Sequence, residues 1–207
     1  VELSRRFFAF LSKNQGYFTG FYYLCRNQTN AVMKLILMTR PEFFVEEHQI
    51  LSALFDEGLE TLHLRKPHTE PVFSERLLSL IDKKDRKKIV VHDYFYLKNE
   101  YDLKGIHVNS RTAELPQNYR GHISCTCSNE EELKSCSSFC DYMFLSPIFE
   151  TNGEAGFSPS FTKTRLKKMA SDRLITRKVM ALGGVNLEHL PMLRALGFGG
   201  VVIFGDI

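Results

Sequence analysis

Three histidines, an arginine and an aspartate fall in short motifs suited to moving protons and holding anions: His63-Leu64-Arg65-Lys66-Pro67, His92-Asp93 and His107-Val108-Asn109. An imidazole changes charge near neutral pH and serves as a general acid or base. A guanidinium grips phosphate or carboxylate oxygens in pairs, and an aspartate offers a hard oxygen to Mg2+. Any one of these histidines alone is more often a satisfied structural residue than a catalyst; their grouping gives them weight. Ser124-Cys125-Thr126 and the stretch from Pro147 to Thr151 add hydroxyls. Gly183-Gly184 and Gly205 supply backbone that can approach an anion closely, where any side chain would intrude. The bland alternative for these glycines is a pair of tight turns, and Asp206 beside them would repel a phosphate.

These groups must be brought together by the elements that carry them. Short runs rich in Val, Ile and Leu cover Lys34–Thr39, Thr61–Lys66, Lys88–Asp93, Gly105–Val108, His122–Cys127, Tyr142–Pro147, Lys178–Gly184 and Gly200–Gly205. Several are apolar on both faces, as parallel strands covered by helices require. Between them, Ile50, Leu51, Leu54 and Phe55 form one helical stripe ended by Gly58, and Phe73, Leu77, Leu80 and Ile81 form another. Ser128-x-x-Glu131 reads as a capping box opening a third helix. Leu190, Leu193 and Leu196 line a fourth, with Pro191 in its first turn. Eight strands with intervening helices predict a compact α/β (β/α)8 TIM barrel, with an open doubly wound sheet as the alternative. The catalytic motifs then lie at the carboxyl ends of strands, where barrels do chemistry, and the glycines lie after strands seven and eight, where barrels hold phosphate.

Composition sets the outer limits. Of 207 residues, 43% are hydrophobic and 25% charged, which excludes a disordered chain. No apolar run is long enough for a membrane span. A formal net charge of +3 is too small to indicate nucleic acid. The basic stretches Lys83–Lys88 and Lys163–Lys168 read as solvated helix ends. Of five cysteines, Cys125, Cys127, Cys136 and Cys140 fall within sixteen residues, in a Cys-x-Cys and Cys-x-x-x-Cys order that matches no structural zinc spacing. They read as small, reduced core residues of a cytoplasmic chain.

Val1–Val32 differs from the rest, with Phe7, Phe8, Phe10, Tyr17, Phe18, Phe21, Tyr22 and Tyr23 ahead of a polar run. It reads as an extension before a domain at 33–207, in which Met33 is a candidate start. With the last strand two residues from the end of the sequence, the eighth helix is expected to be missing. Packing of Val1–Asn30 over that gap is the expectation, and a homodimer partner is the rival cover.

Taken in order, Leu62-His63-Leu64-Arg65-Lys66, Val91-His92-Asp93, Gly105-Ile106-His107-Val108, Ile123-Ser124, Cys140-Asp141-Tyr142 with Ser146-Pro147-Ile148-Phe149-Glu150-Thr151, and Ala181-Leu182-Gly183-Gly184-Val185 resemble the thiamine phosphate synthase superfamily. That superfamily includes the synthase, which couples a hydroxymethylpyrimidine diphosphate to a thiazole phosphate with loss of pyrophosphate, and a thiazole tautomerase. The resemblance implies Arg65, Lys66, His92, Ser124, Thr151 and Asn152 as substrate-binding residues. It implies Gly183, Gly184, Phe204 and Gly205 at a thiazole phosphate, and Asp93 as a Mg2+ ligand. Against the family pattern His63 replaces Gln, Pro67 replaces Lys, His92 replaces Asn, Thr112 stands where a second carboxylate is expected, and Asn152, Gly153 and Glu154 depart from a Thr-x-Thr-Lys loop. The fifth-strand histidine of the tautomerase branch aligns with Thr126.

The diphosphate side has thus lost cations and a carboxylate while the glycine side is kept. This favours a tautomerase-like isomerase on a phosphorylated thiazole, with His63, Arg65, His92 and His107 as catalytic residues and no required cofactor. A true synthase, which would use Mg2+, and a non-catalytic phosphate-ligand-binding barrel stay open. A small phosphorylated molecule is the expected partner, with no nucleic acid and no membrane.

Overall fold

A computed structural model of the chain describes residues 33–109, 118–149 and 161–204. Eight strands run parallel in it: β1 (Lys34–Met38), β2 (Leu62–Leu64), β3 (Ile89–Val91), β4 (Gly105–Asn109), β5 (His122–Cys127), β6 (Tyr142–Leu145), β7 (Val179–Leu182) and β8 (Gly200–Phe204). Each pairs with its sequence neighbour, and β1 also pairs with β8 from Lys34↔Gly200 to Met38↔Phe204, closing the barrel. That closure rules out the open sheet. The expected TIM barrel is the fold.

Strand parity decides which side chains fill the barrel and which support the helices. Side chains alternate across a strand. Ile36, Met38, Tyr142, Phe144, Met180 and Val202 form the inner cluster, while Leu37, Leu62, Leu64, Ile89, Val91, Ile106 and Val108 belong to the larger outer one. His63 stands between Leu62 and Leu64, and His107 between Ile106 and Val108, so both point inward. By the same alternation, Ser124 and Thr126 of β5 face the interior, and Cys125 and Cys127 face the helix layer.

The helices follow the expected stripes with two shifts. α1 (Glu47–Asp56) buries Ile50, Leu51, Leu54 and Phe55 and is closed by Gly58 at φ +99°. Only glycine adopts that conformation cheaply. α2 (Pro71–Leu80) buries Ser74, Leu77 and Leu78, with Ile81 just beyond, and leaves Phe73 and Leu80 exposed. The stripe runs through a serine small enough to pack, so it lies to one side of the predicted line. Phe73 instead packs its ring 5.8 Å from that of Phe43.

Two short helices, α3 (Lys83–Arg86) and α4 (Leu97–Glu100), flank β3. α5 (Glu130–Cys136) is capped by Asn129 rather than by the predicted Ser128 box: the Asn129 side chain accepts from the Glu132 N–H at 2.8 Å, and the Glu132 carboxylate accepts from the N–H of Ser128, just before the cap, at 2.7 Å. Asparagine caps as well as serine does, which is why the sequence offered both registers. α6 (Lys163–Ser171) follows, and a 3-10 turn (Leu187–His189) leads into α7 (Leu190–Ala195), which carries Pro191 in its first turn as expected.

The basic stretches carry ion pairs: Lys88 with the buried Asp85 at 2.7 Å, and at the surface Lys168 with Asp172 at 2.5 Å and Arg165 with Glu130 at 2.9 Å. Among the described residues no helix is long and apolar enough to cross a membrane. The expectations placed on Val1–Val32, Thr112, Thr151, Asn152, Glu154, Gly205 and Asp206 lie outside the described residues.

Candidate active site

The barrel mouth is formed by the carboxyl ends of the strands, and His63, Arg65, His92, Asp93, His107 and Ser124 lie there or just beneath it. Deepest are the histidines. His63 Nδ1 lies 2.9 Å from His92 Nε2, and His63 Nε2 lies 2.6 Å from the Tyr142 hydroxyl. His107 Nδ1 is 2.9 Å from Ser124 Oγ, and His107 Nε2 is 2.9 Å from Thr126 Oγ1. The His92 and His107 rings stack at 4.2 Å, and Phe144 packs 4.7 Å from His63 and 4.8 Å from His107. His63, His107 and Ser124 are buried, while His92 is half-buried at the rim.

Burial is the main cause that pulls all three imidazoles below their ordinary range, with repulsion from neighbouring histidines and cations adding to it; His107 falls to about 3. They are neutral at physiological pH. In a neutral imidazole one nitrogen donates and the other accepts, so the network is satisfied without any charge. One nitrogen from each of the three histidines lies within 4.8 Å of the others, a spacing a metal could use. Both nitrogens of His63 and of His107 are already engaged, however, so metal binding would have to break the network.

Arg65 and Lys66 diverge at the end of β2. The Arg65 backbone is fixed by Thr39, whose Oγ1 accepts from Arg65 N at 3.0 Å and donates to Arg65 O at 3.1 Å. Its guanidinium passes over the first strand and lies 5.7 Å from the centre of the Phe204 ring at the end of β8. Lys66 turns away. Its Nζ is 2.6 Å from Glu47 Oε1 and 2.7 Å from Glu42 O, and its side chain is 1% exposed. Desolvation pushes Lys66 down and Glu47 up, and their mutual attraction opposes both shifts. The ammonium expected at a substrate is committed to joining β2 to α1.

Asp93, two residues beyond β3, accepts the Lys66 backbone N–H through Oδ2 at 3.3 Å. Among the described residues it belongs to no group of three or more ligating side chains. A lone carboxylate suits a Mg2+ that arrives with phosphate oxygens, since that ion is commonly held by one or two carboxylates plus substrate. Asp93 fits that limited role.

After β7 the chain turns through Gly183 (φ +94°) and Gly184 (φ +62°). A Cβ on Gly183 would sit 3.2 Å from Pro147 Cα, so this glycine lets the turn pack against the segment after β6. That segment, entered through a cis Ser146-Pro147 bond, is tied down by Ile148 N–H to Leu182 O at 3.0 Å and Phe149 N–H to Gly183 O at 3.1 Å. The Phe149 ring stacks on His189 at 3.6 Å, and His189 Nδ1 accepts from Asn186 N at 3.2 Å. Thr126 and Tyr142 lay within the motifs but were given no place in the site, and Phe144 and His189 escaped the motif reading. The first three were recoverable from parity, since they share the inward face with His63 and His107.

The family described as thiamine monophosphate synthase matches residues 35–207. A solved thiamine phosphate pyrophosphorylase from Bacteroides thetaiotaomicron superposes with a TM-score of 0.76 and 48% identity, covering 84% of each chain. One from Pyrococcus furiosus shares the fold at a TM-score of 0.65 and 16% identity, over 83% of this chain and 85% of that one. A thiamine-phosphate synthase of Levilactobacillus brevis is 25% identical over 168 residues, 74% of this chain and 76% of the relative. The match to the Limosilactobacillus reuteri thiamine-phosphate synthase is shorter and spans 56% of that relative. The chain belongs to the thiamine monophosphate synthase family.

Proposed function

We propose that the chain is a transferase that joins a hydroxymethylpyrimidine diphosphate to a thiazole phosphate. The thiazole nitrogen attacks the pyrimidine methylene carbon, the carbon–oxygen bond to the diphosphate breaks, and pyrophosphate leaves. The observation that carries this reading is the Arg65 guanidinium, laid from β2 toward β8 at the mouth. The positive-φ turn at Gly183-Gly184 follows β7, the strand paired with β8. Arg65 neutralises the leaving diphosphate, since charge on a departing oxyanion is stabilised best by a fixed cation in a site poor in water. The Gly183-Gly184 turn receives the thiazole phosphate, and Phe204 and Gly205 are assigned to it on the resemblance alone. Asp93 would hold a Mg2+ that enters with the diphosphate, and that ion supplies further charge neutralisation. Thr151 and Asn152 are assigned to the same substrates on the resemblance alone.

The buried histidines support a transferase better than an isomerase. An isomerase needs an imidazole free to exchange a proton with its substrate. His63 and His107 have both ring nitrogens engaged, and burial holds them neutral. Their role is to hold the barrel floor, with His92 presented at the rim. The test is Arg65→Met in steady-state assays with both substrates and Mg2+. Loss of the guanidinium should lower kcat by at least about a hundredfold, the range seen when one group stabilising a transition-state anion is removed. An unchanged kcat in a folded variant would remove Arg65 from the reaction.

A further inference from the structure

We propose that Cys125, Cys127, Cys136 and Cys140 hold a single Zn2+ between β5 and α5, on the outer face of the barrel and apart from the mouth. Sequence spacing hides such a site because it expects each ligand pair on a tight knuckle. Here the pairs arise differently. Cys125 and Cys127 are two apart on a strand, so both side chains leave the same face. Cys136 closes α5, and Cys140 is brought back over it by a Cys140 N–H to Cys136 O bond of 3.0 Å. The thiols of Cys125, Cys136 and Cys140 are therefore delivered from two sides to one point, with that of Cys127 beside Cys125.

The distances among Cys125, Cys136 and Cys140 suit one ion, and Cys127 would close in from beside Cys125 as its fourth ligand. A tetrahedral zinc with Zn–S bonds of about 2.3 Å places its sulfurs about 3.8 Å apart. Cys125 Sγ and Cys127 Sγ are 3.6 Å apart, and the sulfurs of Cys125, Cys136 and Cys140 all lie within 4.8 Å of one another. A multi-iron cluster spreads its thiolates over different metal atoms and needs wider separations. All four residues are buried and unoxidised, and none is more than 5% exposed. Soft thiolates without oxygen ligands select zinc over magnesium or calcium. Four thiolates around Zn2+ leave negative charge, and Lys178 brings a cation to the edge of the cluster, its Nζ 3.1 Å from the Cys140 carbonyl oxygen. The other face of β5 presents Ser124 and Thr126 to His107. An ion on the outer face would fix the strand that orders the histidine network.

Metal analysis of the purified full chain, kept reduced, tests this. One zinc per chain is expected. After zinc is removed with a chelator and Co2+ is added, thiolate-to-cobalt charge-transfer absorption should appear, saturate at one equivalent and disappear on adding Zn2+. The variant Cys136→Ser/Cys140→Ser should lose the band and the zinc. If that variant does not fold, the cobalt spectrum of the unsubstituted chain decides. A folded chain that gives no charge-transfer band, carries iron in place of zinc, or shows a disulfide among these four residues would overturn the assignment, as would zinc retained by the folded double variant.

Discussion

His63 Nε2 and the Tyr142 hydroxyl meet at 2.6 Å, joining β2 to β6 across the full width of the barrel. In an eight-stranded barrel these strands are opposite one another, so the bond ties the two walls through the core. Both residues are buried, and the phenol is held protonated, chiefly by burial.

Tyr142→Phe removes the partner and leaves a buried nitrogen unsatisfied, which costs about 1–3 kcal/mol. Chemical denaturation should show a lower midpoint with an unchanged slope. A midpoint equal to the parent's would show that the network does not brace the barrel.

The histidines also predict a pH dependence of stability. Their folded pKa values lie below the unfolded value of about 6.5. Above that pH both states are neutral, and the groups contribute no difference. As pH falls below about 6.5 the unfolded chain takes up protons that the folded core refuses, so stability falls on acidification. Urea unfolding between pH 7.5 and 5 should show this decline; a flat profile would contradict it.

Lys66 and Glu47 behave as a structural pair. Removing either partner alone strands a buried charge, and Lys66→Met should destabilise by about 3–5 kcal/mol. The double variant Lys66→Met/Glu47→Leu should recover much of that loss. Failure of the second substitution to rescue stability would show that the lysine has work elsewhere.

Gly184→Val should weaken thiazole phosphate binding at least about tenfold, or about 1.4 kcal/mol. A β-branched residue at φ +62° is strained and intrudes on the anion's approach. Titration calorimetry on the folded variant checks this, and unchanged affinity would remove the phosphate from this turn.

The barrel was legible because strand and helix periods are properties of local sequence. Runs such as Ile89-Val90-Val91 are apolar on both faces, which suits parallel strands covered by helices in a barrel or a doubly wound sheet, and the β1–β8 pairing decides for the barrel. The site was less legible, because motif position says where a residue lies along the chain but not which way it faces. His63 and His107 were marked as chemical groups on account of their strand ends, yet their parity sends them inward to Tyr142, Ser124 and Thr126. Lys66 was read as a substrate-binding residue, whereas Arg65 and Lys66 diverge and send one side chain over the mouth and the other to Glu47. The Cys125–Cys140 group was invisible to spacing rules because half its ligands alternate along a strand.

The most direct measurement of the central claim follows pyrophosphate release alongside thiamine phosphate formation, with the purified chain, thiazole phosphate, pyrimidine diphosphate and Mg2+. The transferase reading predicts the two products in a one-to-one ratio, both dependent on both substrates. Conversion of a thiazole phosphate isomer without the pyrimidine, or ligand binding with no pyrophosphate released, would contradict it.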